Sequence, residues 1–302
     1  MKYSFRNKLK VASSVMGAFF LVVMLVMHSC MTFRMSPKEI DRFFQEKKMQ
    51  GSQLQFSVGD RTIHYVVSGD STKPVVIFVH GSPGSLSAFI DFMADTALLQ
   101  CAFLVTTDRP GFGYSNFGVA EPSLQKQAAL LKPLLDKYEG NRPIILVGHS
   151  LGGPVVARMA MDYPAQVDGL VLVAASIDPE LEPNETWFRA PLATPFLSWL
   201  LPSSLRASNE EIYHAKPELQ QMLPLWSSIT CPVIVIQGEK DDLVPPGNAD
   251  FAARMLVNAS LTLVRRENVN HFIPWSHPEL IRDAIVEILH ENGFPSQGPS
   301  HQ

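Results

Sequence analysis

Cysteine is scarce in this chain, with three in 302 residues: Cys30, Cys101 and Cys231. No CxxC pair and no Cys/His metal spacing occurs, which excludes a disulfide-stapled scaffold and a cysteine-bound structural metal. Cys101 and Cys231 each stand just before an apolar run. They are expected as two separate buried thiols, with a single bridge between them as the alternative in an oxidising compartment. Internal repeats and low-complexity tracts are absent as well. Positive charge is not in excess: Lys and Arg number 25 against 29 Asp and Glu, for a net charge of −4, so nothing marks a nucleic acid as partner. With 46% hydrophobic and 18% charged residues the composition is globular, and the length suits one large α/β domain with a full core or two small ones. No cofactor and no metal is expected.

The first thirty residues lack acid entirely; none occurs before Glu39. Lys2, Arg6, Lys8 and Lys10 precede the uncharged run VMGAFFLVVMLVM (15–27), and HSC follows, ending at Cys30. A basic start, an apolar middle and a small residue before cysteine look like a bacterial lipoprotein signal, with Ser29 at the cleavage site and Cys30 lipidated. The rival is an uncleaved anchor, since residues 11–33 are long enough to span a bilayer. Either reading makes the membrane a partner and places the folded domain in the cell envelope outside the cytoplasm, because the basic end stays inside. Cleavage before Cys30 would remove four positive charges and no acid, leaving a more acidic globule that needs a tether to stay on an anionic surface. Residues 1–30 are thus a signal or anchor, and 31–51 a linker. Within the linker, SPKEIDRFFQEK (36–47) carries an N-cap Ser36, Pro37 at the first helical position and Glu39 as the far side of a capping box. Its Ile40, Phe43 and Phe44 share one face, which is expected to dock on the domain rather than on lipid.

From residue 54 the pattern changes. LQFSVGDRTIHYVVSG (54–69) alternates around Gly-Asp and predicts a hairpin. Six short runs with almost no charge follow, at 75–79, 103–107, 144–148, 170–174, 233–237 and 261–264. They fit strands buried on both faces of a parallel sheet. Helix-compatible segments lie between them, at 86–99, 123–138, 154–163, 247–257 and 278–290. This alternation predicts an α/β fold with a mostly parallel, eight-stranded sheet. One interval breaks it. Residues 177–230 are proline-rich, hold Trp187, Trp199 and Trp226, and are far longer than the ~2–6 residues of an ordinary connection. They are expected to form a helical cap inserted after the sixth strand, with the core at 52–176 and 231–290. The final stretch, 291–302, reads as a loose tail.

The chemistry centres on VGHSLGGP (147–154), where an apolar strand becomes a helix around Ser150. Gly148-His149-Ser150-Leu151-Gly152 is a G-x-S-x-G sequence in the strand–turn–helix setting that gives it meaning. So sharp a turn forces the serine into a sparsely allowed conformation and leaves no room for a Cβ two residues either side. The second feature, His80-Gly81-Ser82-Pro83-Gly84, follows another strand. Pro83 has no N–H, so the backbone amide of Ser82 is the expected donor, paired with that of Leu151, to form an oxyanion hole. His271, just after the last strand, is the expected base, ahead of His64, His214, His277 and His290. Asp241, just past VIVIQ, is the acid expected to orient it, with Asp242 and Asp178 as alternatives. The order Ser150, Asp241, His271 is that of an α/β-hydrolase triad.

Two further segments, DRPGFGYS (108–115) and NHFIPWSHPELI (270–281), complete a resemblance. From about residue 52 to 290 the chain resembles the α/β-hydrolase superfamily, specifically its short-cap branch of meta-cleavage-product hydrolases, serine esterases, haloperoxidase-like enzymes, epoxide hydrolases and haloalkane dehalogenases. The epoxide hydrolases and dehalogenases use an aspartate nucleophile; Ser150 stands in that place here, so their alkyl-enzyme route is not available. The resemblance implies a serine hydrolase acting through an acyl-enzyme, expected to cleave a carboxylic ester of a small to medium, uncharged substrate. Hydrolysis of a C–C bond, as in meta-cleavage enzymes, is the alternative. It calls for a cation in the pocket, for which Arg189 is the candidate, although a solvated surface arginine is the expectation for that residue. A non-catalytic binding module on the same fold is the third reading. Trp187, Phe188, Phe196, Trp199 and Trp226 are expected to build the cap's core or an apolar pocket wall.

Overall fold

The computed structural model describes residues 2–140 and 142–294. Eight strands form one sheet in the order β1-β2-β4-β3-β5-β6-β7-β8. The hairpin β1 (Gly51–Val58) and β2 (Arg61–Ser68) pairs antiparallel, and β2 joins β4 (Phe103–Thr107) antiparallel. All other pairings are parallel: β3 (Val75–Val79), β5 (Ile144–His149), β6 (Gly169–Val173), β7 (Val233–Gly238) and β8 (Leu261–Arg266). Every residue of β3 to β7 is buried, as charge-free runs of β-branched residues require when helices cover both faces.

The two sheet faces carry separate cores. On one, Ile77, Leu146 and Leu172 pack with α4 (Leu124–Tyr138), α5 (Gly152–Asp162) and α9 (Gly247–Met255). On the other, Phe78, Val147 and Val171 pack with α2 (Pro37–Lys47), α3 (Thr96–Cys101) and α10 (Pro278–Glu291). The capping box of α2 forms as its sequence predicts: the Glu39 N–H donates to Ser36 Oγ at 3.3 Å, and the Ser36 N–H to Glu39 Oε2 at 2.6 Å. Ile40 and Phe44 are buried, so this amphipathic helix docks on the domain.

Several expectations need correction. Residues 86–99 are not one helix. Two 3-10 turns, Leu86–Phe89 and Phe92–Ala94, precede α3, because the Asp95 carboxylate accepts from Ala97 and Leu98 and starts a new helix there. The interval after β6 is helical, with α6 (Thr186–Ala193), α7 (Pro195–Ser198) and α8 (Ser203–Met222) followed by a 3-10 turn. Its aromatics do not do what was expected of them. Trp187 and Phe196 are 80% and 81% exposed, Trp199 is also exposed, and neither α6 nor α7 buries any residue. Trp226 lies in the main core against Phe251, not in a pocket wall. Cys101 is buried and Cys231 half-buried, both as free thiols whose pKa burial raises, that of Cys231 to about 12. Of the expected tail, 295–302 lie outside the described residues. At the other end α1 (Lys2–Cys30) contains an 18-residue stretch, Ser13–Cys30, that is long and apolar enough to cross a membrane and has no buried residue.

Candidate active site

The loops after β3, β4, β5, β7 and β8 meet at the C-terminal edge of the sheet, where open α/β folds bind their ligands. The turn after β5 is as tight as its glycines suggest. A Cβ on Gly148 would lie 2.5 Å from the Gly152 carbonyl oxygen, and one on Gly152 would lie 2.2 Å from that of Val79. Ser150 has φ 54°, a left-handed conformation that costs a serine about 1–3 kcal/mol. Bonds on both sides hold it there: the Ser150 N–H donates to Val173 O at 3.0 Å, and the Gly153 N–H to Ser150 O at 2.9 Å. Leu151 caps α5, so the positive end of that helix lies beside the serine.

His271 and Asp241 come together. Nδ1–H of His271 donates to Asp241 Oδ2 at 2.8 Å, and the second oxygen of Asp241 accepts from the amides of Leu243 and Val244 at 3.0 and 2.8 Å. The two alternatives lie elsewhere. Asp242 is exposed, while Asp178 accepts the Glu180 amide and pairs with Arg254. His149, the neighbour of Ser150, ties the elbow to the histidine loop: its Nε2–H donates to the His271 carbonyl at 3.0 Å, and the two rings lie 4.7 Å apart. Burial, then the neighbouring titratable imidazole of His271, hold the His149 pKa down to about 3, so the His149 imidazole stays neutral.

The HGSPG loop runs alongside; a Cβ on Gly81 would sit 2.8 Å from that of Ser150. Among the described residues, the amides of Ser82 and Leu151 have no hydrogen-bond acceptor, and the buried Ser82 Oγ has no partner. Sequence reasoning missed what holds this loop. Arg109, fully buried, donates through Nε to His80 O at 2.8 Å and through one terminal nitrogen to Gly81 O at 3.1 Å. Its remaining bonds go to Gln127 and, bidentate, to Glu211 on α8 at 2.6 and 3.0 Å. One guanidinium therefore clamps the loop beside Ser150 to the cap. His80 completes the arrangement. It is kept neutral by burial and by the Arg109 charge, donating from Nδ1 to Gly81 O and accepting the Arg109 amide on Nε2. The only hint in the sequence was an arginine after a buried strand, where an uncompensated charge cannot stay. Asp108, in the same motif, accepts from His64 Nδ1 and from the amides of Leu86 and Tyr114.

Two cavities meet at Ser150, Ser82 and His271. The larger, about 520 Å³, is walled by Phe33, Pro83, Ala88, Leu243, Phe272 and Trp275. The smaller, about 200 Å³, is more polar, with Ser176, Glu182, Glu185 and Arg189 beneath the cap. Glu182 accepts from the Ser176 hydroxyl, and burial raises its pKa. Arg189 is not a solvated surface residue; it is half-buried, paired with Glu185 and bonded to Asn209.

A mostly parallel sheet with a strained serine, a histidine and an aspartate at its C-terminal edge has the architecture of a hydrolase of the α/β type. A family model for the alpha/beta hydrolase fold matches residues 74–196. The chain is 30% identical over 215 residues to the mitochondrial palmitoyl-protein thioesterase ABHD10 of Mus musculus, spanning 66% of this chain and 69% of that protein. It is 25% identical over 269 residues to a 2-hydroxy-6-oxononadienedioate/2-hydroxy-6-oxononatrienedioate hydrolase of Pseudomonas sp, spanning 76% of this chain and 92% of that one. Among solved structures, the carboxylesterase CesB of Bacillus subtilis superposes with a TM-score of 0.62 at 20% identity, over 83% of this chain and 96% of that one. The chain belongs to the alpha/beta hydrolase family.

Proposed function

We propose that this protein is a serine hydrolase of carboxylic esters, anchored in the bacterial cell envelope. The observation that carries the reading is the 2.8 Å bond from His271 to Asp241 beside a serine held at φ 54°. Asp241 keeps the His271 proton on Nδ1 and leaves Nε2 free to act as base. Ser150 Oγ attacks the ester carbonyl as Nε2 takes its proton. The oxyanion accepts from the amides of Ser82 and Leu151. The C–O bond then breaks, and His271 returns the proton to the leaving alcohol. Water, deprotonated by the same imidazole, attacks the acyl-enzyme, releasing the acid and restoring Ser150. The thioesterase relative, whose substrates are also acyl groups on a heteroatom, supports this bond type.

Hydrolysis of a C–C bond is the second reading, and the Pseudomonas relative favours it. A carboxylate substrate would need a free cation, however, and Arg189 is already neutralised by Glu185. The unbroken set of site residues argues against a binding module. The anchor is α1, retained whole or replaced by a lipid on Cys30, which is exposed. A fluorophosphonate probe tests the chemistry. It should label the native protein and not Ser150→Ala, and failure to label folded native protein would overturn the reading. Rates on p-nitrophenyl esters set against a dienoate C–C substrate then divide the two bond types. Mass spectrometry of the membrane-bound protein decides between an intact helix and a lipidated Cys30.

A further inference from the structure

The anchor and the catalytic cavity are joined at one residue. Phe33 follows the end of α1 by three positions and is also part of the wall of the 520 Å³ cavity that holds Ser150. The joint is fixed on both sides. Ser204 Oγ, on the cap helix α8, donates to the Met31 carbonyl. Arg34 donates to the Gly113 carbonyl and lies 4.3 Å over both the Tyr114 and Phe117 rings. Phe33 itself has φ 50°, an outlier for so bulky a side chain, and one that persists only where its surroundings dictate it. The contacts of residues 31 and 34 do so, turning the chain sharply from α1 onto the domain. An extended chain from Cys30 to Phe33 spans at most about 10 Å. The membrane therefore meets the cavity mouth whether the anchor is the retained helix or a lipid on Cys30.

The mouth has the chemistry of a membrane interface. Leu243, Phe272 and Trp275 are exposed there beside Phe33, and aromatic side chains favour the headgroup layer, where a ring can be half-buried in lipid. An exposed apolar rim that a soluble substrate would not need becomes useful when the rim touches acyl chains. The second cavity, past Ser150, offers Ser176, Glu182 and Glu185 to a polar group. The two chambers thus match the two ends of an amphipathic ester.

From this we infer that the substrate is a long-chain acyl ester drawn from the bilayer that holds the anchor. Its acyl chain passes Phe33 into the apolar cavity, and its polar alcohol lies towards Glu182. The inference rests on the ester-hydrolase reading and extends it to the source of the substrate.

The test uses the full chain in vesicles of phosphatidylethanolamine and phosphatidylglycerol. Release of free fatty acid is measured beside hydrolysis of soluble p-nitrophenyl butyrate. A spacer of about a dozen Gly/Ser residues between Cys30 and Met31 adds roughly 20 Å of slack and leaves every cavity residue in place. Native protein should release fatty acid from the vesicles. The spacer should cut that rate by at least about tenfold and change butyrate hydrolysis less than about twofold, because the mouth is no longer held at the surface. As a second variant, Phe33→Ala should lower the kcat/KM preference for a dodecanoyl over a butanoyl ester by about tenfold, as expected for a lost apolar contact with the chain. Butyrate hydrolysis without fatty acid release, or a spacer with no effect on release, overturns the inference while the ester-hydrolase reading stands. Loss of both activities together with no probe labelling removes that reading itself.

Discussion

Removing Glu211 should cost more than its distance from Ser150 suggests. Its carboxylate is the counter-ion of Arg109, which is buried to 1% exposure, so Glu211→Leu leaves a guanidinium in the interior with two of its five hydrogen bonds gone. Breaking a buried pair from one side costs about 3–5 kcal/mol. That is a large part of the ~5–15 kcal/mol that holds a typical domain together. Arg109→Met should cost a similar amount, because it frees Glu211 and unties the His80 and Gly81 carbonyls. The double variant removes both charges and should cost well under the sum, giving a coupling of about 2–3 kcal/mol. Urea unfolding of the four proteins measures this. Kinetics supply an independent readout. Arg109 fixes the carbonyls of the two residues before Ser82, so Arg109→Met should lower kcat on p-nitrophenyl butyrate by about tenfold to a hundredfold. KM should change little, since the donor lost acts on the transition state. A Glu211→Leu cost below about 1 kcal/mol, or strictly additive costs in the double variant, would refute the clamp.

Asp241→Asn should lower kcat by about 10⁴-fold with the fold intact, since the amide cannot hold the His271 tautomer; Asp178→Asn should cost some stability and leave kcat within about threefold, and the reverse result reassigns the acid. Gly152→Ala forces a methyl to 2.2 Å from the Val79 carbonyl oxygen and should lower stability by at least about 1–3 kcal/mol, seen as a fallen Tm with lost probe labelling. Acid should destabilise the protein through His149. Its folded pKa of about 3 lies below the ordinary 6.5, so the unfolded chain takes the proton first. Its stabilising contribution is whole above pH 6.5 and shrinks as pH falls toward 3, by up to about 1.4 kcal/mol per unit. Between pH 6.5 and 5 the native protein should therefore lose up to about 2 kcal/mol more than His149→Gln in urea titrations, and parallel losses would remove His149 as the cause.

The sheet could be read from the sequence because its strands obey a rule with little competition. A parallel strand buried on both faces must be an apolar run, and VVIFV, IILVG and VIVIQ are such runs. The elbow could be read for a similar reason, since only glycine fits where a Cβ on Gly148 or Gly152 would meet a backbone oxygen at 2.5 or 2.2 Å. Residues 86–99 misled because their composition suits a helix throughout, whereas the Asp95 carboxylate is a local competitor that restarts the backbone after two 3-10 turns. Arg109 and Glu211 are 102 positions apart, and no local pattern announces a pair that only the packing of the cap on the core creates. His149 was hidden in plain view, as an unspecified position within the nucleophile motif whose role depends on a carbonyl 122 residues away.

The cap aromatics failed for a more instructive reason. A tryptophan in a globular chain is expected to be inside, because burying so large a side chain is worth several kcal/mol, about 25 cal/mol per Å². That expectation assumes water as the only alternative. Trp187, Phe196 and Trp199 are exposed on the protein, as are Phe272 and Trp275 at the cavity mouth. If α1, which is long and apolar enough to cross a membrane, anchors the protein as proposed, water is not the only medium outside. At the headgroup layer an exposed indole keeps its ring in an apolar setting and its N–H wet, so the penalty that would drive it into a core disappears. The same residues that make a poor cap core in water make a suitable surface at a bilayer. A reading based on hydrophobicity alone could not distinguish the two, because both demand the same amino acids; what separates them is the exposure of Trp187, Phe196 and Trp199 in the folded protein.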